Sequence, residues 1–176
     1  HTNDSISAVT RLLEMKIEPY LVSSSLVCSL AQRLVRRICR HCAEEDHRIP
    51  ESIRDEMAAA LKLAPEAVRA WRGRGCVECN QKGHRGRVAI YEFFLPNEAI
   101  GDMIQPGLRT GHLRAAARHL GWRSLREMGW HKVQAGLVAI SEQQRWTRIV
   151  DPAALNMGVL NLKSEIRNPK LATPEP

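Results

Sequence analysis

Several things are scarce or missing in this 176-residue chain, and each narrows what it can be. No apolar run approaches the roughly 20 residues that a membrane-spanning helix needs. Aromatic residues make up only 5% of the sequence, so a folded core must be mainly aliphatic, and a base-stacking platform for single-stranded nucleic acid has few rings to build on. No Gly-x-x-x-x-Gly-Lys-Ser/Thr run occurs, so the chain lacks the loop of backbone N–H groups and lysine that cradles a triphosphate. Nothing resembles a secretory leader, which argues against an oxidised, disulfide-built protein. The sequence opens on His1 rather than methionine and is expected to be a piece of something longer.

What the chain does have is cysteine in a telling arrangement. Cys39-Arg40-His41-Cys42 and Cys76-Val77-Glu78-Cys79 are two Cys-x-x-Cys loops with 33 residues between them. Each loop offers two sulfurs, and two such loops complete the tetrahedral four-thiolate set of a zinc site, with ligands at about 2.3 Å. Disulfides would leave the fifth cysteine, Cys28, over, and a redox dithiol gives no reason for a second pair. Cys39, Cys42, Cys76 and Cys79 are therefore expected to hold one structural Zn²⁺, with no open position for water. Gly73, Gly75, Gly83 and Gly86 frame the second loop and let backbone N–H groups turn toward the sulfurs. The spacer exceeds the roughly 15–20 residues usual in ribbons, so a helical insert should loop out between the knuckles. Cys28 reads as a small hydrophobe in a packed face.

The excess of 26 Lys and Arg over 19 Asp and Glu gives a net charge of +7. That balance suits an anionic partner (nucleic acid, nucleotide or acidic lipid) or simply a solvated basic surface. The local pattern predicts a helix from Asp4 or Ser5 to about Met15, with Ile6, Val9, Leu12 and Leu13 inward, and a second from Pro19 to Leu30. Gln32–Ile38 reads as a strand, Pro50–Leu63 and Pro65–Trp71 as short helices, and Val88–Leu95 as a buried strand. Helices are expected from Pro96 to Ile104, Leu108 to Leu120, Ser124 to Ala135 and Ser141 to Val150. Gly107, Gly121 and Gly136 mark breaks, and Ser124 with Glu127 forms a capping box. From Asp151 the pattern fades into a tail expected to be poorly ordered.

Taken in order, these motifs resemble the secretion ATPases of type II secretion and type IV pilus assembly, closest to the general secretion pathway protein E branch. His1-Thr2-Asn3-Asp4 is similar to the end of that family's histidine box. Glu18-Pro19-Tyr20-Leu21-Val22-Ser23-Ser24-Ser25-Leu26 resembles the helix that follows. Ala31-Gln32-Arg33-Leu34-Val35-Arg36-Arg37 resembles its arginine strand, the four cysteines its zinc-bearing insert, and Gly83–Arg87 with Ile90-Tyr91-Glu92 the strand after it. Arg40 stands where the family usually has proline, and Ala89 where it usually has glycine.

The resemblance implies an α/β fold: the C-terminal part of a RecA-like P-loop ATPase core with a tetracysteine insert and a C-terminal helical region. Its division would be residues 1–38 (end of the core), 39–84 (zinc insert), 85–150 (core strand and helices) and 151–176 (tail). It implies a full-length ATPase using ATP and Mg²⁺ as a homo-hexamer on the cytoplasmic face of the inner membrane. That enzyme would work with inner-membrane platform proteins to drive pseudopilus assembly and protein export, with no nucleic acid involved. By the same resemblance His1 would lie near the γ-phosphate and Arg33 near the nucleotide or a neighbouring subunit. The stretch alone would be inactive. A competing expectation, from charge and zinc only, is a freestanding zinc module that binds nucleic acid. Loss of metal is expected to unfold mainly residues 39–90.

Overall fold

The computed structural model describes residues 3–147. Helix α1 (Ser5–Glu14) starts where Asp4 accepts the Ser7 N–H at 2.7 Å, and it buries Ile6 and Val9. Proline opens α2 (Pro19–Ser25). The chain then enters β1 (Ser29–Ile38), which runs antiparallel to β4 (His84–Phe94) with Ser29 opposite Phe94 and Arg36 opposite Arg87. Between them lie β2 (Ala43–Glu45), α3 (Glu51–Leu61), a turn of 3₁₀-helix at Pro65–Ala67 and β3 (Trp71–Gly73). Strands β2 and β3 pair antiparallel. Four helices follow: α4 (Glu98–Met103), α5 (Thr110–His119), α6 (Leu125–Gln134) and α7 (Ile140–Trp146). No helix among the described residues is long and apolar enough to cross a membrane.

The mix of helices and strands is as expected, but the strands form two antiparallel pairs, and no parallel pairing occurs among the described residues. Three local readings are corrected. The second helix ends at Ser25, because residues from Ser29 onward are drawn into pairing with β4. Cys28 is consequently exposed at the turn between them and is not part of a packed face. The expected helix at Pro65–Trp71 shrinks to a single turn, since Val68 and Ala70 are buried and Trp71 pairs opposite Glu45.

Among the described residues, two apolar cores lie side by side against one face of the long hairpin. One gathers Val35 and Ile90 from the strands, Met57 and Ala58 from α3, and Trp130 and Val133 from α6. The other gathers Ile6 and Val9 of α1, Phe94 of β4, Ile100 of α4 and Leu113 of α5. Helix α3 thus shares its core with α6. Around that contact the buried guanidinium of Arg126 pairs with Glu56, which also accepts the Trp130 Nε1–H at 3.0 Å.

Glu92 occupies the seam between the two cores and is buried. One carboxylate oxygen accepts the N–H and hydroxyl of Ser5, at 2.7 and 2.5 Å, and the other accepts the Leu125 N–H at 2.8 Å. A single anion therefore caps the first turns of both α1 and α6, where the helix dipoles favour negative charge. Burial raises its pKa above the ordinary glutamate value against the opposing pull of these donors.

Candidate metal centre

The foot of the β1–β4 hairpin brings the four predicted ligands together. Cys39 follows the last residue of β1, and its N–H donates to the Gly83 carbonyl at 3.0 Å, just before β4 begins. The second Cys-x-x-Cys loop forms a turn of 3₁₀-helix at Val77–Cys79, followed by Asn80 and Gln81 in left-handed conformations that fold the chain back under the sulfurs. Gly73 and Gly83 face each other so closely that a Cβ on either would run into the other's backbone. Only glycine fits there, and Gly83 also has φ of +70°.

The Sγ–Sγ separations are 3.8 Å for Cys39–Cys76, 3.9 Å for Cys42–Cys79 and 3.7 Å for Cys76–Cys79. A tetrahedron of thiolates about 2.3 Å from a central ion has edges of about 3.8 Å, so one Zn²⁺ fits this set. The same separations are nearly twice the S–S bond length of about 2.05 Å, so these sulfurs are not paired as disulfides. All four sulfurs lie within 4.8 Å of one another, and three of the four residues are buried.

Backbone donors complete the cradle. Gly75 N–H points to Cys42 Sγ at 3.3 Å, while Cys76 and Gly83 N–H groups point to Cys79 Sγ at 3.3 and 3.2 Å. Such donors orient thiolates and disperse their charge. Burial pushes the Cys79 thiol up, but the two N–H groups outweigh it and bring the pKa down to about 7. Cys42, which receives one, is pushed up to about 11 by burial. In the metal-free cluster the Cys42 thiol stays protonated near neutral pH, so loading a divalent cation there must displace a proton.

His1 lies outside the described residues. Arg33 sits on β1 opposite Ile90, half-buried, and makes no ion pair among the described residues. Its strand neighbour Arg36 is committed elsewhere. Its guanidinium donates to Glu142 of α7 at 2.7 and 2.9 Å, and its backbone N–H donates to the same carboxylate at 2.9 Å. Burial would raise the Glu142 pKa, but these bonds hold it below the ordinary value. Three basic residues near the knuckles are also paired: Arg72 with Glu44, Arg69 with Glu45 and Arg85 with Glu78. Sequence reasoning missed Glu92 and Glu142 as organising carboxylates, because Ser5 and Leu125, which Glu92 binds, and Arg36, which Glu142 binds, lie far away in the sequence.

Residues 1–145 match the family described as type II/IV secretion system protein. Among curated relatives, the type II secretion system protein HxcR of Pseudomonas aeruginosa is 41% identical over 149 residues, covering 84% of this chain and 27% of that protein. The type II secretion system ATPase E of Vibrio cholerae is 38% identical over 152 residues, covering 84% of this chain and 28% of the relative. The type IV pilus assembly ATPase PilB of Thermus thermophilus is 37% identical over 142 residues, covering 81% and 16% respectively. The chain thus spans about a quarter or less of the length of these relatives. With the family matched along most of its sequence, the chain belongs to the type II/IV secretion system proteins.

Proposed function

We propose that this chain is the C-terminal, zinc-bearing portion of a secretion ATPase with a RecA-like core. The full-length protein would hydrolyse ATP with Mg²⁺ as a homo-hexamer at the cytoplasmic face of the inner membrane. There it would act on inner-membrane platform proteins to drive pseudopilus assembly and export. The observation that carries this reading is the family match over residues 1–145, joined to a four-sulfur cluster of zinc dimensions inside the matched stretch.

In this reading the zinc is structural. Four thiolates would saturate it, and its work would be to tie the end of β1 to the start of β4 across an insert of residues 39–84. Residues 1–38 would end the nucleotide-binding core, residues 85–150 would supply the strand and helices that back it, and residues 151–176 would form a tail. His1 would donate to the γ-phosphate. Arg33 would add positive charge near the nucleotide or the adjoining subunit, a role for which its lack of an ion pair among the described residues leaves it available. A nucleic-acid-binding role is less well supported, because it rests on charge and zinc alone, and Arg69, Arg72 and Arg85 near the knuckles are paired with local acids.

Phosphoryl transfer depends on groups that position the phosphates and Mg²⁺, and this sequence contains no phosphate loop. The isolated chain should therefore show no magnesium-dependent ATP turnover. In a full-length protein, His1→Ala and Arg33→Ala should each slow hydrolysis while leaving zinc content unchanged. Robust turnover by the isolated chain, free of contaminating ATPases, would overturn this assignment.

A further inference from the structure

Helix α1 begins shortly after His1, and its polar ties to the rest of the molecule gather at that end. Asp4, its cap, already accepts the Ser7 N–H at 2.7 Å and the Ser7 hydroxyl at 2.8 Å. Local capping would stop there. Arg114 of α5, 110 positions along the chain, also donates to Asp4 Oδ2 at 2.5 Å and to the Ser7 hydroxyl oxygen at 3.3 Å. Glu92 of β4 accepts both the N–H and the hydroxyl of Ser5, and the Trp122 Nε1–H donates to that same hydroxyl oxygen at 3.2 Å. At the opposite end of α1, Glu14 bonds only to Arg11 of the same helix among the described residues, and Met15 is exposed.

Burying a carboxylate is costly, and capping α1 does not require it. Ile6 and Val9 already pack the helix against its core, but apolar burial has no direction. The hydrogen bonds do, and they fix the register of the first turn. The second oxygen of Glu92 accepts the N–H of Leu125, the first residue of α6, so α1 and α6 start on one carboxylate. Ser5 and Glu92 are each 1% exposed, which keeps water from competing for these bonds. Strand β4, helix α5 and the approach to α6 thus converge on two consecutive residues, Asp4 and Ser5.

We propose that Glu92 and Arg114 are positioning residues for His1, acting through Ser5 and Asp4. This rests on the ATPase reading above, in which His1 donates to the γ-phosphate. The step from Asp4 back to His1 spans at most about 11 Å of chain, so a displacement of Asp4 passes to the histidine with little slack. A hydrogen bond to a phosphate oxygen works over a few tenths of an ångström, and a misplacement of about 1 Å costs about a hundredfold in rate. Neither Glu92 nor Arg114 touches nucleotide, so their effect falls on turnover and not on ATP binding. Through them α5 and α6 set where the histidine stands, and a shift of those helices is felt at the reacting phosphate.

The test is a double-mutant cycle in a full-length protein carrying this chain. Glu92→Gln and Arg114→Gln should each lower kcat about tenfold or more, with KM for ATP within about twofold of the wild type. In a His1→Ala background the same substitutions should lower kcat by less than about a further twofold, because the group they position is gone. Arg114→Lys, which keeps a cation opposite Asp4, should bring kcat back to within about threefold of the wild type. The Arg114 side chain is 38% exposed, so its variants carry the test should Glu92→Gln fail to fold. Losses that multiply with that of His1→Ala, a raised KM with unchanged kcat, or variants that turn over ATP like the wild type would each overturn the positioning role and leave the ATPase reading standing. A wild-type protein without magnesium-dependent turnover would overturn the ATPase reading and the positioning role with it.

Discussion

Glu92 and Glu142 are both almost fully buried carboxylates, yet their surroundings give them opposite pH signatures. Arg36 holds Glu142 below its ordinary pKa, so the stabilisation it provides is present above the usual glutamate range, near 4.3, and is lost as pH falls through the lowered folded value. Burial raises Glu92, so its ionised form is disfavoured in the fold, and its contribution declines as pH rises from the ordinary value through the raised one. Glu142→Gln should therefore flatten the acid limb of a stability–pH curve measured by urea unfolding. Its cost at neutral pH should be about 1 kcal/mol, since half-exposed Arg36 can turn to water. Glu92→Gln should cost more, about 1–3 kcal/mol, because its amide would face the Leu125 N–H with a donor of its own. Neither role was legible in the sequence: Glu92 meets Ser5 and Leu125, and Glu142 meets Arg36, only after distant elements have come together.

The elements themselves were legible where signals were local. Asp4 caps α1, and Ser124 with Glu127 forms the reciprocal box that opens α6. Ser124→Ala should cost about 1 kcal/mol by the same urea measurement. The signal failed where pairing decided the outcome. The apolar residues from Leu21 to Leu30 are spaced much as in a helix, but β4 captures the chain from Ser29, and Leu30 and Leu34 then alternate with Ala31 and Val35 as a strand. Packing between helices was also hidden. Gly129 of α6 lies so close to Gln143 of α7 that an added Cβ would strike its side-chain amide, which donates to the Arg126 carbonyl at 2.9 Å. Gly129→Ala should therefore destabilise by about 1–3 kcal/mol despite its better helix propensity, an inversion that thermal unfolding would show.

At the scale of the whole molecule, the four cysteines were readable because Cys-x-x-Cys spacing is a local pattern, while the way their insert joins the rest was not. Helix α3 shares a core with α6, and Glu56 binds both Arg126 and Trp130 across that contact. Chelation should consequently release protection along residues 39–83 and the face of α6 that meets α3, leaving α1, α4 and α5 with their own core. Acidification should do the same, since protons compete with the metal for the thiolates. The most direct test of the zinc-closed hairpin is elemental analysis of the purified chain and of its Cys79→Ser variant. One zinc per chain, lost or sharply reduced in the variant, is the expected result; a wild-type chain without zinc, or a variant with its metal content unchanged, would contradict it.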